Sequence, residues 1–136
     1  MIWIASQSGI NGATVDLALE AKKMGLVCVA FTRVPHSSAV KSRHPSGMRL
    51  FEICDHVVDL GGVSGDACVE LGAGVRAGPL SLLSSVLLGH SILTAACGQL
   101  EAQGVHCVYT SVNTPDGESR NAALEKKAAE RDFLLK

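Results

Sequence analysis

The chain has 136 residues, 47% of them hydrophobic and 18% charged, with a mean hydropathy of +0.27. That length accommodates one domain with a real core, and that composition excludes a disordered or acidic-tail protein. A formal net charge of -1 argues against a general nucleic-acid binder, although it says nothing of where the charges lie.

Ile2 to Ala5 is a short apolar run that stops at small polar residues, which predicts a buried strand feeding a loop. The loop is Ser6-Gln7-Ser8-Gly9-Ile10-Asn11-Gly12. A helix is expected from Ala13 to Met24, with Val15, Ala18 and Leu19 on one face and Gly25 as its stop. Leu26 to Phe31 reads as a second buried strand, Thr32 to Pro45 as a basic loop, Ser46 to Cys54 as a short helix and His56 to Leu60 as a third strand. Gly61 to Gly78 is glycine-rich, with a strand expected near Ala67 to Leu71. Pro79 suits the first turn of a long apolar helix, Leu80 to Gln103. A further strand is expected over Val105 to Thr110 and a charged helix over Glu118 to Leu135. Apolar strands alternating with helices indicate an α/β domain whose four to five strands form a mostly parallel sheet.

Charge is segregated along the chain. No acidic residue lies between Glu20 and Glu52, while Lys22, Lys23, Arg33, Lys41, Arg43 and Arg49 fall there, half of all the lysines and arginines. Such a stretch reads either as a solvated face or as an electropositive mouth for an anionic ligand. The five cysteines are odd in number and lack C-x-x-C spacing, which suits reduced thiols in a cytoplasmic protein rather than a disulfide framework. The five histidines show no metal-ligand spacing, so no metal is expected. Residues 77–100 are long enough to cross a bilayer but carry Ser81, Ser84, Ser85, His90, Ser91, Thr94 and Gln99. They read as a buried core or subunit-interface helix rather than a membrane span. The glycines of residues 72–78 superficially match a dinucleotide motif. No acidic residue follows at the spacing that motif needs, so no cofactor is expected.

In an open parallel sheet, ligands bind at the carboxyl ends of the strands. The first strand ends at Ser6-Gln7-Ser8-Gly9 with a helix just beyond. Two hydroxyls, a glycine and a helix N-terminus form a set of donors suited to phosphate, although ordinary strand-to-helix turns use the same residues. Asn11 and Thr14 are candidate donors or caps, and Arg43 a candidate contact to an anion. His44 and Glu70 are the candidate general bases near such an edge. Glu52 and His90 read better as a helix-surface residue and a core or interface residue.

Ser6-Gln7-Ser8-Gly9-Ile10-Asn11 resembles the phosphate loop of SIS (sugar isomerase) domains. So, in order, do residues 19–25, His36-Ser37, residues 42–47, Gly65-Asp66-Ala67, residues 78–81, Asn113 and Asn121 resemble the phosphoheptose-isomerase-like branch of that superfamily. The resemblance covers nearly all of the chain. It implies a flavodoxin-like α/β/α three-layer sandwich, often dimeric, that binds a phosphosugar. Ser6 and Ser8 would hold the phosphate with their hydroxyls, the amides of Gly9 to Asn11 would complete the cradle, and Thr32 would line the same edge. Pro45 stands where the family usually has serine. The chain resembles only the C-terminal part of a full member, lacking its first helices and strand, so an N-terminally incomplete domain is expected. Phosphosugar binding is the favoured reading, with a homo-oligomer as the expected assembly. A sugar-phosphate isomerase is the alternative.

Overall fold

A computed structural model describes residues 1–130; Leu135, expected at the end of the last helix, lies outside them. The elements run β1 (Ile2–Ala5), α1 (Gly12–Lys23), β2 (Cys28–Thr32), α2 (Val34–Ala39), α3 (Leu50–Ile53), β3 (His56–Asp59), β4 (Ala67–Gly72), β5 (Val75–Pro79), α4 (Leu80–Ala102) and α5 (Gly117–Glu130). The chain divides within α4 into two compact units, residues 1–89 and 90–136.

In the first unit β1, β2 and β3 form a parallel sheet in that order, with Ile4 opposite Ala30 and Ala30 opposite Val57. Every residue of β2, the central strand, is buried, which is why its sequence is apolar without alternation. The period of two sends alternate side chains to opposite faces. On one face Ile4 and Ala30 pack with Ala18 of α1 and Leu50 of α3, flanked by Ile53 and Cys54. On the other, Val29, Phe31 and Leu60 pack with Trp3, Val58 and Leu88 of α4, and the Trp3 and Phe31 rings lie 5.1 Å apart. In α1 the buried residues are Val15, Ala18 and Ala21; Leu19, expected on that face, is only half-buried.

The observed architecture is thus mixed α/β, and its parallel sheet has three strands rather than the four to five expected. Ala67–Gly72 is a strand as anticipated, but it pairs with Val75–Pro79 as an antiparallel hairpin. Ala73 and Gly74 turn the hairpin with φ of +50° and +77°, the positive angles of a type I′ turn. The dinucleotide-like glycines therefore serve this hairpin. Pro79 ends β5 instead of opening a helix. The basic loop after β2 contains the short helix α2, and the helix expected from Ser46 shrinks to Leu50–Ile53, closed by Glu52, whose carboxylate accepts from Arg49 N at 2.6 Å.

The long apolar helix forms as expected but is not buried: Gly89 is its one buried residue, and Leu82, Leu83 and Val86 are exposed. Among the described residues it is the one helix long and apolar enough, by length and composition, to cross a membrane. Its start is fixed by Asp66, whose carbonyl accepts from Leu80 N at 3.1 Å and whose carboxylate accepts from Ser81 N at 2.7 Å.

In the second unit residues 105–110 form no strand. They are held instead by side chains of their own unit. The carboxamide of fully buried Asn121 accepts from Thr110 N at 2.8 Å and donates to Thr110 O at 2.7 Å, and the Tyr109 hydroxyl donates to Glu125 at 2.7 Å. All five cysteines are free, and burial pushes the Cys54 thiol up to about 11, so it stays protonated and inert.

Asp55 ties β2 to the turn before β3. Its carboxylate accepts from Cys28 N at 2.8 Å and pairs with Lys22 of α1. The Cys28 amide, and after it Lys22, hold this carboxyl below its ordinary value. A depressed folded-state pKa contributes stability that is present above the unfolded value, about 4, and is lost as pH falls through the folded one. The unfolding midpoint of the wild type is expected to drop below about pH 4, and Asp55→Asn to flatten that drop; parallel midpoint-versus-pH profiles for the two proteins would contradict the assignment.

The loop after β1 turns at Gly9, with φ +59°. A Cβ built there would lie 3.0 Å from Leu50 Cβ and 3.1 Å from Thr32 Oγ1. Gly9→Ala combines a left-handed backbone with two close contacts and is expected to cost about 2–4 kcal/mol in denaturant unfolding. A loss under about 0.5 kcal/mol would show that the turn relaxes freely.

Candidate functional site

The carboxyl ends of β1 and β2 lie side by side; β1 runs into the Gly9 turn and β2 into Arg33 and α2. The chain leaving β1 stays in ladder register for one more bond, Ser6 N to Phe31 O at 2.9 Å, and then folds over. Gly9 N donates to Ser6 Oγ at 3.2 Å, and Gly9 O accepts from Leu50 N at 2.8 Å. The α1 helix follows directly. The side chain of Asn11, its N-cap, makes no capping hydrogen bond, and the first intrahelical donors are Thr14 N and Val15 N. The amides of Gly12 and Ala13 therefore have no intrahelical acceptor, at the end of the helix where its dipole favours negative charge.

Of the residues expected to bind phosphate, Ser6, Ser8, Gly9, Asn11 and Arg43 are brought together. Arg43 N donates to Ile10 O at 3.0 Å and its guanidinium to Asn11 Oδ1 at 3.3 Å, so the basic segment after β2 is laid against the loop. Two details of the expected cradle are corrected. The Gly9 amide is already bonded to Ser6 Oγ. Thr32 is fully buried, and its hydroxyl donates to Gln7 O at 3.2 Å, so it supports the loop from beneath and does not line a ligand edge.

The two candidate bases are placed elsewhere. His44 Nδ1 lies 2.7 Å from Ser46 Oγ and accepts from Ser46 N at 3.1 Å, while Nε2 lies 2.9 Å from Asp16 of α1. Both ring nitrogens are thereby engaged, and the imidazole acts as a staple between α1 and the segment after α2. Glu70 is exposed on the hairpin. It accepts from Gly72 N at 3.3 Å and sits 3.9 Å from Arg76, its cross-strand neighbour. The acid-free stretch is also less electropositive than its sequence suggests: Lys22 pairs with Asp55, Lys23 with Glu20, and Arg49 with Glu52.

The residue that sequence reasoning passed over is Arg33. It follows the last residue of β2, and its amide donates to Gln7 O at 3.1 Å. Its Nε and Nη1 are buried and have no hydrogen-bond partner. Gln7 Oε1 and Ser37 Oγ are buried and unpartnered too. Ser37 Oγ would lie 3.4 Å from a Cβ at Gly9, and the Arg33 amide bonds Gln7 O, so the three residues neighbour the same turn. Leaving a buried polar group unsatisfied costs about 1–3 kcal/mol, more when it is charged, so such a cluster is a binding signal rather than a packing solution. A strand-end arginine inside an acid-free stretch was the available clue.

A larger cavity, about 770 Å³, lies in the second unit between the end of α4 and α5. Its charged side chains are paired within that unit, His106 with Glu101 at 2.7 Å and Arg120 with Asp116 at 2.6 Å. Among the described residues no group of three or more His, Cys, Asp or Glu side chains gathers as a metal site would require.

No family model matches the chain. It is similar to curated proteins known only as UPF0309 proteins. It is 36% identical to UPF0309 protein ABC0887 of Shouchella clausii and 35% identical to UPF0309 protein OB3413 of Oceanobacillus iheyensis, in each case over 93% of this chain and 52% of the relative. It is 34% identical to UPF0309 protein lmo0025 of Listeria monocytogenes, over 99% of this chain and 58% of the relative. The chain thus spans about half the length of the curated relatives it matches.

Proposed function

We propose that the chain is an SIS-type domain that binds a phosphorylated sugar at the loop from Ser6 to Asn11, within a flavodoxin-like three-layer fold. One observation carries this reading: Gln7, Arg33 and Ser37, which neighbour the turn where β1 hands over to α1, each hold buried side-chain polar atoms without a partner. A phosphate there meets the Ser6 and Ser8 hydroxyls, the first amides of α1, and the guanidinium donors that otherwise lack an acceptor. Helices on both faces of the parallel sheet, α1 and α3 on one and the start of α4 on the other, support the fold part of the reading. The free cysteines agree with a cytoplasmic setting. Self-association belongs to the same reading, supported by the exposed Leu82, Leu83 and Val86 of α4. Binding is preferred to isomerisation because His44 and Glu70 are both committed to partners away from the turn.

Thermal-shift titration with glucose 6-phosphate and with glucose tests the proposal. Only the phosphorylated sugar is expected to raise the melting temperature, and Ser8→Ala is expected to reduce its effect. Arg33→Met separates function from stability. It removes buried donors that have no partner, so the unliganded variant is expected to melt higher by a few degrees, the equivalent of about 1 kcal/mol, while phosphosugar affinity falls about tenfold or more. A folded wild-type sample that responds to no sugar phosphate would overturn the reading.

A further inference from the structure

In the second unit the chain reverses at the end of α4 and returns along it. Gly104, at φ +75°, makes the reversal: its amide donates to Glu101 O at 2.9 Å, and Val105 N donates to Leu100 O at 2.9 Å. This pair of bonds around a left-handed glycine closes a helix end. The Glu101 carboxylate then clamps the returning segment. One oxygen accepts from Cys107 N at 3.2 Å and the other lies 2.7 Å from His106 Nδ1. Cys97 stands four residues before Glu101, on the same face of α4. The reversal therefore brings Cys107 beside Cys97, and their thiols are hydrogen-bond partners. Cys107 is exposed, Cys97 half-buried, and both are free.

We propose that Cys97 and Cys107 form a redox-responsive dithiol, which a small-molecule disulfide of the glutathione class converts to an intramolecular bridge. The chemistry balances as two thiol–disulfide exchanges. The Cys97 thiolate attacks the small disulfide, giving a mixed disulfide and releasing one small thiol. The Cys107 sulfur then displaces the other. One S–S bond breaks, one forms, and the two protons of the cysteines end on the two small thiols. Cys107 takes the second step because burial, and after it Cys97 and Glu101, hold its thiol above its ordinary value. The bridge fastens the returning segment to the last turns of α4. These are two walls of the 770 Å³ cavity, with Glu101 on one and His106, Val108 and Thr110 on the other. Oxidation thus locks those walls together. The phosphosugar reading uses no cysteine, so the two proposals stand or fall separately.

The test treats the reduced, folded full chain with glutathione disulfide, alkylates the remaining thiols and digests with trypsin. Residues 77–120 emerge as one peptide whose cysteines are Cys97 and Cys107 alone, while Cys54 and Cys68 share the peptide of residues 50–76. The first peptide is expected unalkylated and lighter by two hydrogen atoms, and dithiothreitol is expected to restore it. Cys54 and Cys68 are expected to be alkylated. Cys107→Ser is expected to stall with glutathione on Cys97. Bridging is expected to run about tenfold faster in the folded chain than in urea, because the reversal presents the thiols to each other. Hydrogen exchange over residues 105–110 is expected to slow once the bridge forms. A folded wild-type chain whose Cys97 and Cys107 are both alkylated, or both carry glutathione, overturns the proposal. So does equal bridging with and without urea, since the pairing would then owe nothing to the fold. A bridge that leaves exchange over residues 105–110 unchanged overturns the locking of the cavity walls.

Discussion

A backbone turn with no room for a side chain governs the rest of this molecule. Gly9 sits in a left-handed conformation against Leu50 and Thr32, and its amide and carbonyl are both spent on fixing the turn, to Ser6 Oγ and to Leu50 N. Because the turn is pinned, α1 starts close to the end of β1, and its uncapped first amides open on the carboxyl edge of the sheet. The same pinning draws in α3 through Leu50, which is fully buried and anchors one of the two apolar clusters. The start of α1, the seating of α3 and the donor-rich edge therefore meet at one local geometry.

That geometry has a cost concentrated in one place. Among the described residues the unpartnered buried side-chain N and O atoms belong to Gln7, Arg33 and Ser37, neighbours of the turn, while Asp55 by contrast is bonded to both Cys28 and Lys22. A stability-driven sequence would put an apolar residue at Arg33 and gain from it. Keeping a guanidinium there makes sense when an anion supplies the missing acceptors.

The sheet was legible because continuous apolar runs bounded by glycine or polar residues leave few alternatives: the runs 2–5, 26–31 and 56–60 overlap the strands Ile2–Ala5, Cys28–Thr32 and His56–Asp59. The same rule failed at residues 105–110, where the apolar run finds no strand to pair with and Asn121 satisfies its backbone instead. The β4–β5 hairpin was half visible. Its turn, Ala73-Gly74, lacks the asparagine or aspartate that usually announces a type I′ turn. At the site, Ser6, Ser8, Gly9 and Asn11 could be named from the local pattern of one loop, whereas Arg43, 32 residues from Asn11, was named from the charge of its own segment. Arg33 could not. Its meaning depends on which partners are absent, and that is not encoded in spacing. His44 misled for the same reason: its commitment to Asp16, 28 residues away, is invisible in the motif around it.

The central claim is that the β1–α1 turn and Arg33 together take up an anion. Amide and arginine side-chain ¹⁵N NMR during titration with glucose 6-phosphate addresses it directly, because the Nε–H of Arg33 reports on its own partner. The account predicts that the amides of Ser8 to Ala13 and the Arg33 Nε–H resonance shift together along one binding curve, and that unphosphorylated glucose moves none of them. A sugar phosphate that binds while those signals stay in place would contradict it.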